Sequence, residues 1–194
     1  MKTTILLLLS FLSSGFALNA AITSLEYDVF VAGGKVGTHS VSIDSAAGQC
    51  IISLDTRMKF PLRKVHSRIQ VRYHSGKLQF ASSENRINDK LKEWSTISRQ
   101  GSAYRVDVPG KTFAIHTPIQ FSVGRLYAFP PQACTVVYSE RWSTFVSIQA
   151  SGKDTYIMHQ PDGHTNVFRY TNGVCSEMET EMMAARVVFR LREL

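Results

Sequence analysis

The sequence has no Gly-x-Ser-x-Gly elbow, no cysteine–histidine nucleophile signature, no His-Glu-x-x-His and no glycine-rich phosphate loop. These absences remove the familiar hydrolase, zinc-protease and nucleotide-binding readings. No cofactor is implied. Beyond residue 20 there is no run near the roughly 20 apolar residues that a spanning helix needs, so an integral membrane protein is not expected. There is no repeat of fixed length and no low-complexity tract. Acidic residues are short: 15 against 22 lysines and arginines, a net charge of +7. Such an excess suits anionic lipid headgroups, envelope polysaccharide or an acidic partner. Nucleic-acid binding would want exposed aromatics between the cations. Here the aromatics fall in the apolar phase, so no nucleic-acid partner is expected.

Cysteine is scarce too, with only Cys50, Cys134 and Cys175. An oxidising compartment would allow one disulfide and one spare thiol. Cys50 lies in the apolar phase of its strand and reads as a small buried hydrophobe. Cys134 and Cys175 flank loops and are the expected pair.

What is present begins with a leader. Lys2 precedes the apolar run Ile5–Leu12, and small residues follow it. This is the pattern of a secretory signal over residues 1–20, removed after Ala17 or Ala20. A periplasmic protein is expected, with one domain over 21–194.

From there the chain alternates. In CIISLDTRMKF (50–60), Cys50, Ile52, Leu54, Met58 and Phe60 take every second position. Period two marks a strand with one dry and one wet face. A tight turn at Pro61-Leu62 sets Met58 opposite Val65, Leu54 opposite Ile69 and Ile52 opposite Val71. It also sets Asp55 opposite Arg68. Gly33-Gly34 reads as a hairpin turn pairing Val31 with Val36, followed by a β-bulge at Gly37. Ser75-Gly76 sets Tyr73 against Leu78 and Val71 against Phe80. Asn88-Asp89 is a further turn. Pro109-Gly110 sets Val106 against Phe113 and Tyr104 against Ile115. Later, Gly152-Lys153 sets Ile148 against Ile157, and Asn172-Gly173 sets Cys175 across from Tyr170. The run 177–185 is rich in helix formers. Its helical propensity competes with a strand reading.

The rhythm breaks between Thr117 and Cys134, where Pro118, Gly124, Pro130 and Pro131 interrupt an apolar stretch. A short helix over 119–128 is expected to cross between two halves of one sheet and to pack on its concave side. The fold expected is all-β: a long curved antiparallel sheet, as a half-barrel or flattened barrel, with that one crossing helix.

Several clusters compete for function. Phe121, Leu126, Tyr127 and Phe129 of the crossing segment are candidates to line an apolar site. Arg57, Lys59, Lys64, Arg68 and Arg72 share one wet face and could hold anions, with only Asp55 against them. His159 and His164 flank a turn containing Asp162, an arrangement open to metal or proton transfer. His39 sits beside the expected bulge, a place where side chains are re-aimed. His66 and His74 are too far apart to share a metal. Glu140 with Arg141 reads as a sheet-edge charge pair, and Glu93 with Glu140 as a carboxylate couple only if the fold brings them together. No metal site is assigned.

The segments YDVFVAGGKVGTHSVSI and PDGHTNVFRYTNGVC resemble the opening and closing parts of uncharacterised exported bacterial β-rich proteins, a domain of unknown function. The long antiparallel order with a mid-chain crossing is more distantly similar to the half-barrel of outer-membrane lipoprotein carriers, which shelter acyl chains. The resemblance implies an envelope location and a bent antiparallel sheet. The function expected is non-enzymatic binding of an apolar or amphiphilic, lipid-like ligand in the concavity. The alternatives are an envelope interaction module using the basic face, and a hydrolase around His159, Asp162 and His164.

Overall fold

Alternating residues become antiparallel strands wherever a turn can reverse the chain without changing which side is dry. The computed structural model describes residues 21–132, 134–182 and 185–192, and the leader lies outside them. The first eight strands are β1 (Ala21–Val31), β2 (Gly34–Ala46), β3 (Gln49–Phe60), β4 (Arg63–His74), β5 (Lys77–Ile87), β6 (Lys90–Gln100), β7 (Ala103–Val108) and β8 (Lys111–Ile115). A helical turn, α1 (Val123–Leu126), follows. Then come β9 (Val136–Ser139), β10 (Thr144–Gly152), β11 (Thr155–His159), β12 (Thr165–Thr171), β13 (Val174–Met182) and β14 (Ala185–Leu191).

All fourteen strands form one curved sheet in the order β8-β7-β6-β5-β4-β3-β2-β1-β14-β13-β12-β11-β10-β9. The first strand therefore lies in the middle, paired with β2 on one side and β14 on the other. The free edges are β8 and β9, and the chain after β8 crosses the concave face over residues 116–132. That face is the core: Tyr27, Val29, Val41, Ile52, Val71, Leu78, Val106 and Phe168 are fully buried.

The hairpin registers follow the turn chemistry. Met58 pairs with Val65, Leu54 with Ile69, Ile52 with Val71 and Asp55 with Arg68. Val106 pairs with Phe113, Tyr104 with Ile115, and Tyr170 with Cys175. Three expectations need correction. The first turn is Ala32-Gly33, both at positive φ, so Val31 meets Gly34 and not Val36. The turn after β10, by contrast, is one residue later than expected, and Ile148 meets Met158. Val71 meets Ala81 rather than Phe80, because the ladder slips by one residue next to Tyr73. Residues 177–182 are strand, because pairing on both flanks overrides helix propensity.

The bulge expected at Gly37 is present. Val29 pairs with Gly37 and Phe30 with Lys35, leaving Val36 as the extra residue. The strands approach so closely here that a Cβ on Gly37 would overlap the carbonyl oxygen of Arg57.

The crossing helix is shorter than 119–128. Leu78 N–H donates to the Ile119 carbonyl at 3.2 Å, and Tyr138 N–H donates to the Phe121 carbonyl at 2.9 Å. Those carbonyls serve both walls, so the chain before Ser122 is extended. Pro130 and Pro131 bar continuation beyond the end. Leu126 and Tyr127 drop into the core.

Gly37→Ala is expected to destabilise the fold by about 2–3 kcal/mol, since backbone must move to admit the methyl. Gly48→Ala, at φ +78° in open space, should cost only about 1 kcal/mol. Urea midpoints of the two variants check this; equal losses would refute close packing as the cause.

Candidate functional site

Inward-facing positions of neighbouring strands line up in transverse rows. One row is apolar: Val41, Leu54 and Ile69 pair in sequence across β2, β3 and β4. Four residues along, Met58, Val65 and Ile87 form another apolar row. The row between them is polar. His39 pairs with Thr56, Thr56 with Ser67, and Ser67 with Asn85. Short polar side chains at inward positions leave space where aliphatics would have filled it.

That space is a cavity of about 250 Å³. Val123 and Tyr127 line it from the crossing segment. Met158, Met178, Thr180 and Phe189 line it from the opposite wall. The exposed side chains Arg141, Asp162 and Glu181 also border it, close to the loops that end β9, β11 and β13. Trp142 Nε1–H donates to Gln160 Oε1 at 3.2 Å, and Gln160 Nε2 donates to Asn166 at 2.6 Å. This chain of hydrogen bonds, from indole to amide to amide, holds one side of the opening in place.

His39 is the most constrained group in the lining. Its ring lies 4.6 Å from Tyr127, 5.3 Å from Tyr27 and 5.4 Å from Phe189, centroid to centroid. Nδ1 is 2.8 Å from Thr56 Oγ1. Nε2 is buried and has no hydrogen-bond partner. Burial holds the imidazole pKa down to about 3, against the weaker opposing pull of Asp55. The ring is therefore neutral at physiological pH. Asn85 Oδ1, in the same row, is also buried without a partner.

Glu140 is a second buried polar group with a different task. Its Oε1 accepts the Gly124 N–H at 3.0 Å, and its main-chain carbonyl accepts the Ser95 hydroxyl. It thus ties the end of β9 to α1 and to β6. Burial pushes its carboxyl pKa up, against the opposing effect of the Gly124 amide.

The residues singled out in the sequence are dispersed. Tyr127 lines the cavity, whereas Leu126 is packed in the core. Phe121 and Phe129 clasp Arg125, whose guanidinium lies 5.1 Å from each ring and 5.0 Å from Tyr73. They belong to the far end of the sheet, near the Gly48 and Gly76 turns. The four do not form one site.

The basic face exists, and all five of its cations are exposed. Asp55 neutralises part of it, holding Arg57 at 2.8 Å, His66 at 2.9 Å and Arg68 at 3.1 Å. Burial raises the Asp55 pKa, but these three hydrogen bonds outweigh it and hold the carboxyl down at about 2. Arg72 lies 5.5 Å over the Phe80 ring. Lys59 and Lys64 face each other across the ladder.

His159 and His164 turn to different partners. His159 Nε2 is 3.4 Å from Gln149, and His164 Nδ1 is 3.3 Å from Glu181. Asp162 accepts the His164 backbone N–H. Arg141 pairs with Glu93 at 3.1 Å, not with Glu140. The expected Cys134–Cys175 disulfide is not formed, and Cys50 is also a free thiol. Cys175 is buried, and its Sγ lies 3.5 Å from the Glu177 carbonyl.

The sequence reading missed the polar row because it followed apolar residues alone. The signal was there: His39, Thr56, Ser67 and Asn85 occupy inward phases of their strands.

The two buried ionisable groups give stability opposite pH dependences. Unfolded His39 takes up a proton near pH 6.5 and the folded group near pH 3, so its stability is lost as pH falls through that window. Glu140 has a raised folded pKa, so stability falls as pH rises above about 4.5. Glu140→Gln keeps the Gly124 acceptor and removes the titration. Relative to wild type, its urea midpoint should climb from pH 4 to pH 8, while His39→Gln should flatten the loss below pH 6.5. Parallel profiles for all three proteins would refute both assignments.

Among the described residues no helix is long and apolar enough to cross a membrane. A search of curated proteins finds no match. Among solved structures, the chain is similar to a β-barrel-like protein of the domain of unknown function DUF1849 from Brucella abortus. The two share 12% identity with a TM-score of 0.61, covering 88% of this chain and 95% of that one. The likeness at this identity concerns the fold. The family model for the domain of unknown function DUF6134 matches residues 27–192, nearly the whole described sheet, and the chain belongs to that family.

Proposed function

We propose that this protein is a non-enzymatic, exported binding protein that takes up a small amphiphilic molecule in the cavity at one end of its sheet. The observation that carries the reading is the polar row that crosses β2 to β5 between rows that are apolar over β2 to β4. A wall needed only for stability gains most from filling that row with aliphatics. The cavity volume of about 250 Å³ is just below the roughly 300 Å³ at which ligand pockets commonly begin. It therefore suits one short chain or a compact amphiphile, not a lipid with several acyl chains. The leader over residues 1–20 supports a periplasmic setting with cleavage after Ala17 or Ala20.

The neutral probe N-phenyl-1-naphthylamine is expected to gain fluorescence with the protein and to be displaced by short-chain amphiphiles. Ser67→Trp fills the polar row and should weaken probe binding at least tenfold while leaving the far-ultraviolet dichroism of the sheet unchanged. Probe binding equal to wild type in this variant would sink the reading.

A second reading has its own support: Lys59 opposite Lys64 is a like-charge pair that pairing rules disfavour. An anionic envelope component lying along that face would relieve the repulsion. Lys59→Glu with Lys64→Glu should elute from an anionic matrix at clearly lower salt than wild type. Unchanged retention would remove this face from consideration.

A further inference from the structure

The cavity lining restricts the head group as well as the size of its occupant, an argument that rests on the reading of the cavity as a binding site. His39 Nε2 and Asn85 Oδ1 are buried in the polar row with no partner. Thr56 occupies the other imidazole nitrogen at 2.8 Å. If the Thr56 hydroxyl donates to Nδ1, then Nε2–H is a donor without an acceptor. If Nδ1–H donates to Thr56, then Nε2 is an acceptor without a donor. A hydroxyl satisfies either case, because it both donates and accepts. Asn85 Oδ1 offers a second acceptor in the same row.

The charges around the cavity are already engaged with other groups. Arg141 holds Glu93 at 3.1 Å, Glu181 lies 3.3 Å from His164 Nδ1, and Asp162 accepts the His164 backbone N–H. All three are exposed. The polar row itself contains His39, Thr56, Ser67 and Asn85, and burial keeps His39 uncharged. A carboxylate or ammonium seated there would lose its hydration without gaining a counter-charge, which is strongly unfavourable. The rest of the lining is soft. Met58, Met158, Met178 and Met182 present flexible thioethers that adapt to an alkyl chain.

We infer that the cavity selects an uncharged, hydroxyl-bearing amphiphile, with the hydroxyl at the polar row, on His39 Nε2 or on Asn85 Oδ1, and the alkyl chain against the methionines.

Three ligands of one chain length test this: 1-octanol, octanoate and octylammonium, titrated at pH 7.5 against the bound naphthylamine probe. Octanol should displace the probe at least tenfold more tightly than either ion. His39→Phe or, separately, Asn85→Leu should reduce that preference threefold or more, with octanol losing affinity and the ions not. Two independent variants keep the test open if one folds poorly. Octanoate or octylammonium binding as well as octanol, or an unchanged preference in both folded variants, overturns the head-group inference alone. Failure of all three octyl ligands to displace the probe overturns the cavity reading itself, and the head-group inference with it.

Discussion

Parity is the constraint on which the rest of this molecule depends. In an antiparallel ladder, side chains directly opposite each other lie on the same face. A turn of the right length therefore hands the dry face from one strand to the next, and an error of one residue would turn a whole strand inside out. The four strands from β3 to β6 and the last four illustrate how consistently the inward set is kept, from Ile52 and Val71 round to Met178 and Phe189. Where the count is off, a bulge restores it. The extra Val36 beside Gly37 does this in the first hairpin, and a slip next to Tyr73 does it between β4 and β5. Gly37 is tolerated there only because it has no Cβ to meet the neighbouring backbone.

A sheet with both edges free would be open to pairing with other chains. The crossing segment answers this at the β9 edge, where Ser122 bridges Tyr138. It lends backbone carbonyls to β5 on one wall and hydrogen-bonds to β9 on the other. Glu140 fastens α1 to the same seam through Gly124. Burying that carboxyl is costly, and the retained hydrogen bonds offset part of the cost. The segment also divides the concavity. On one side Arg125 stacks among Tyr73, Phe121 and Phe129. On the other, the short polar row leaves the cavity open.

The outer face follows different rules. Its charges are mostly exposed and mutually arranged. Glu177 and Glu179 gather Arg169, Arg186 and Arg190, and Asp28 gathers Lys35 and Arg192. Exposed pairs of this kind contribute little to stability, typically under about 1 kcal/mol each. Their effect is to lower the field that a count of basic residues would suggest, which leaves Lys59 and Lys64 as the most suggestive part of the positive face.

Much of the architecture could be read from residue order alone. The facing of Met58 and Val65, the register of Tyr104 with Ile115, the bulge at Gly37 and the placement of an apolar crossing all follow from alternation and turn chemistry, which are local. Between the helix and strand readings left open for residues 177–185, strand prevails over 177–182 because propensity is a weak term beside two flanking ladders. The grouping of Phe121 with Tyr127 failed because a chain crossing a concavity sends consecutive aromatics to opposite ends of it. Local order thus determined which side of each strand faces in, and how strands follow one another. Only the tertiary structure decided that His39, Thr56, Ser67 and Asn85, spread over 47 positions of sequence from 39 to 85, become neighbours. The reason is that such a row runs perpendicular to the strands, and its members meet only once every intervening register is set.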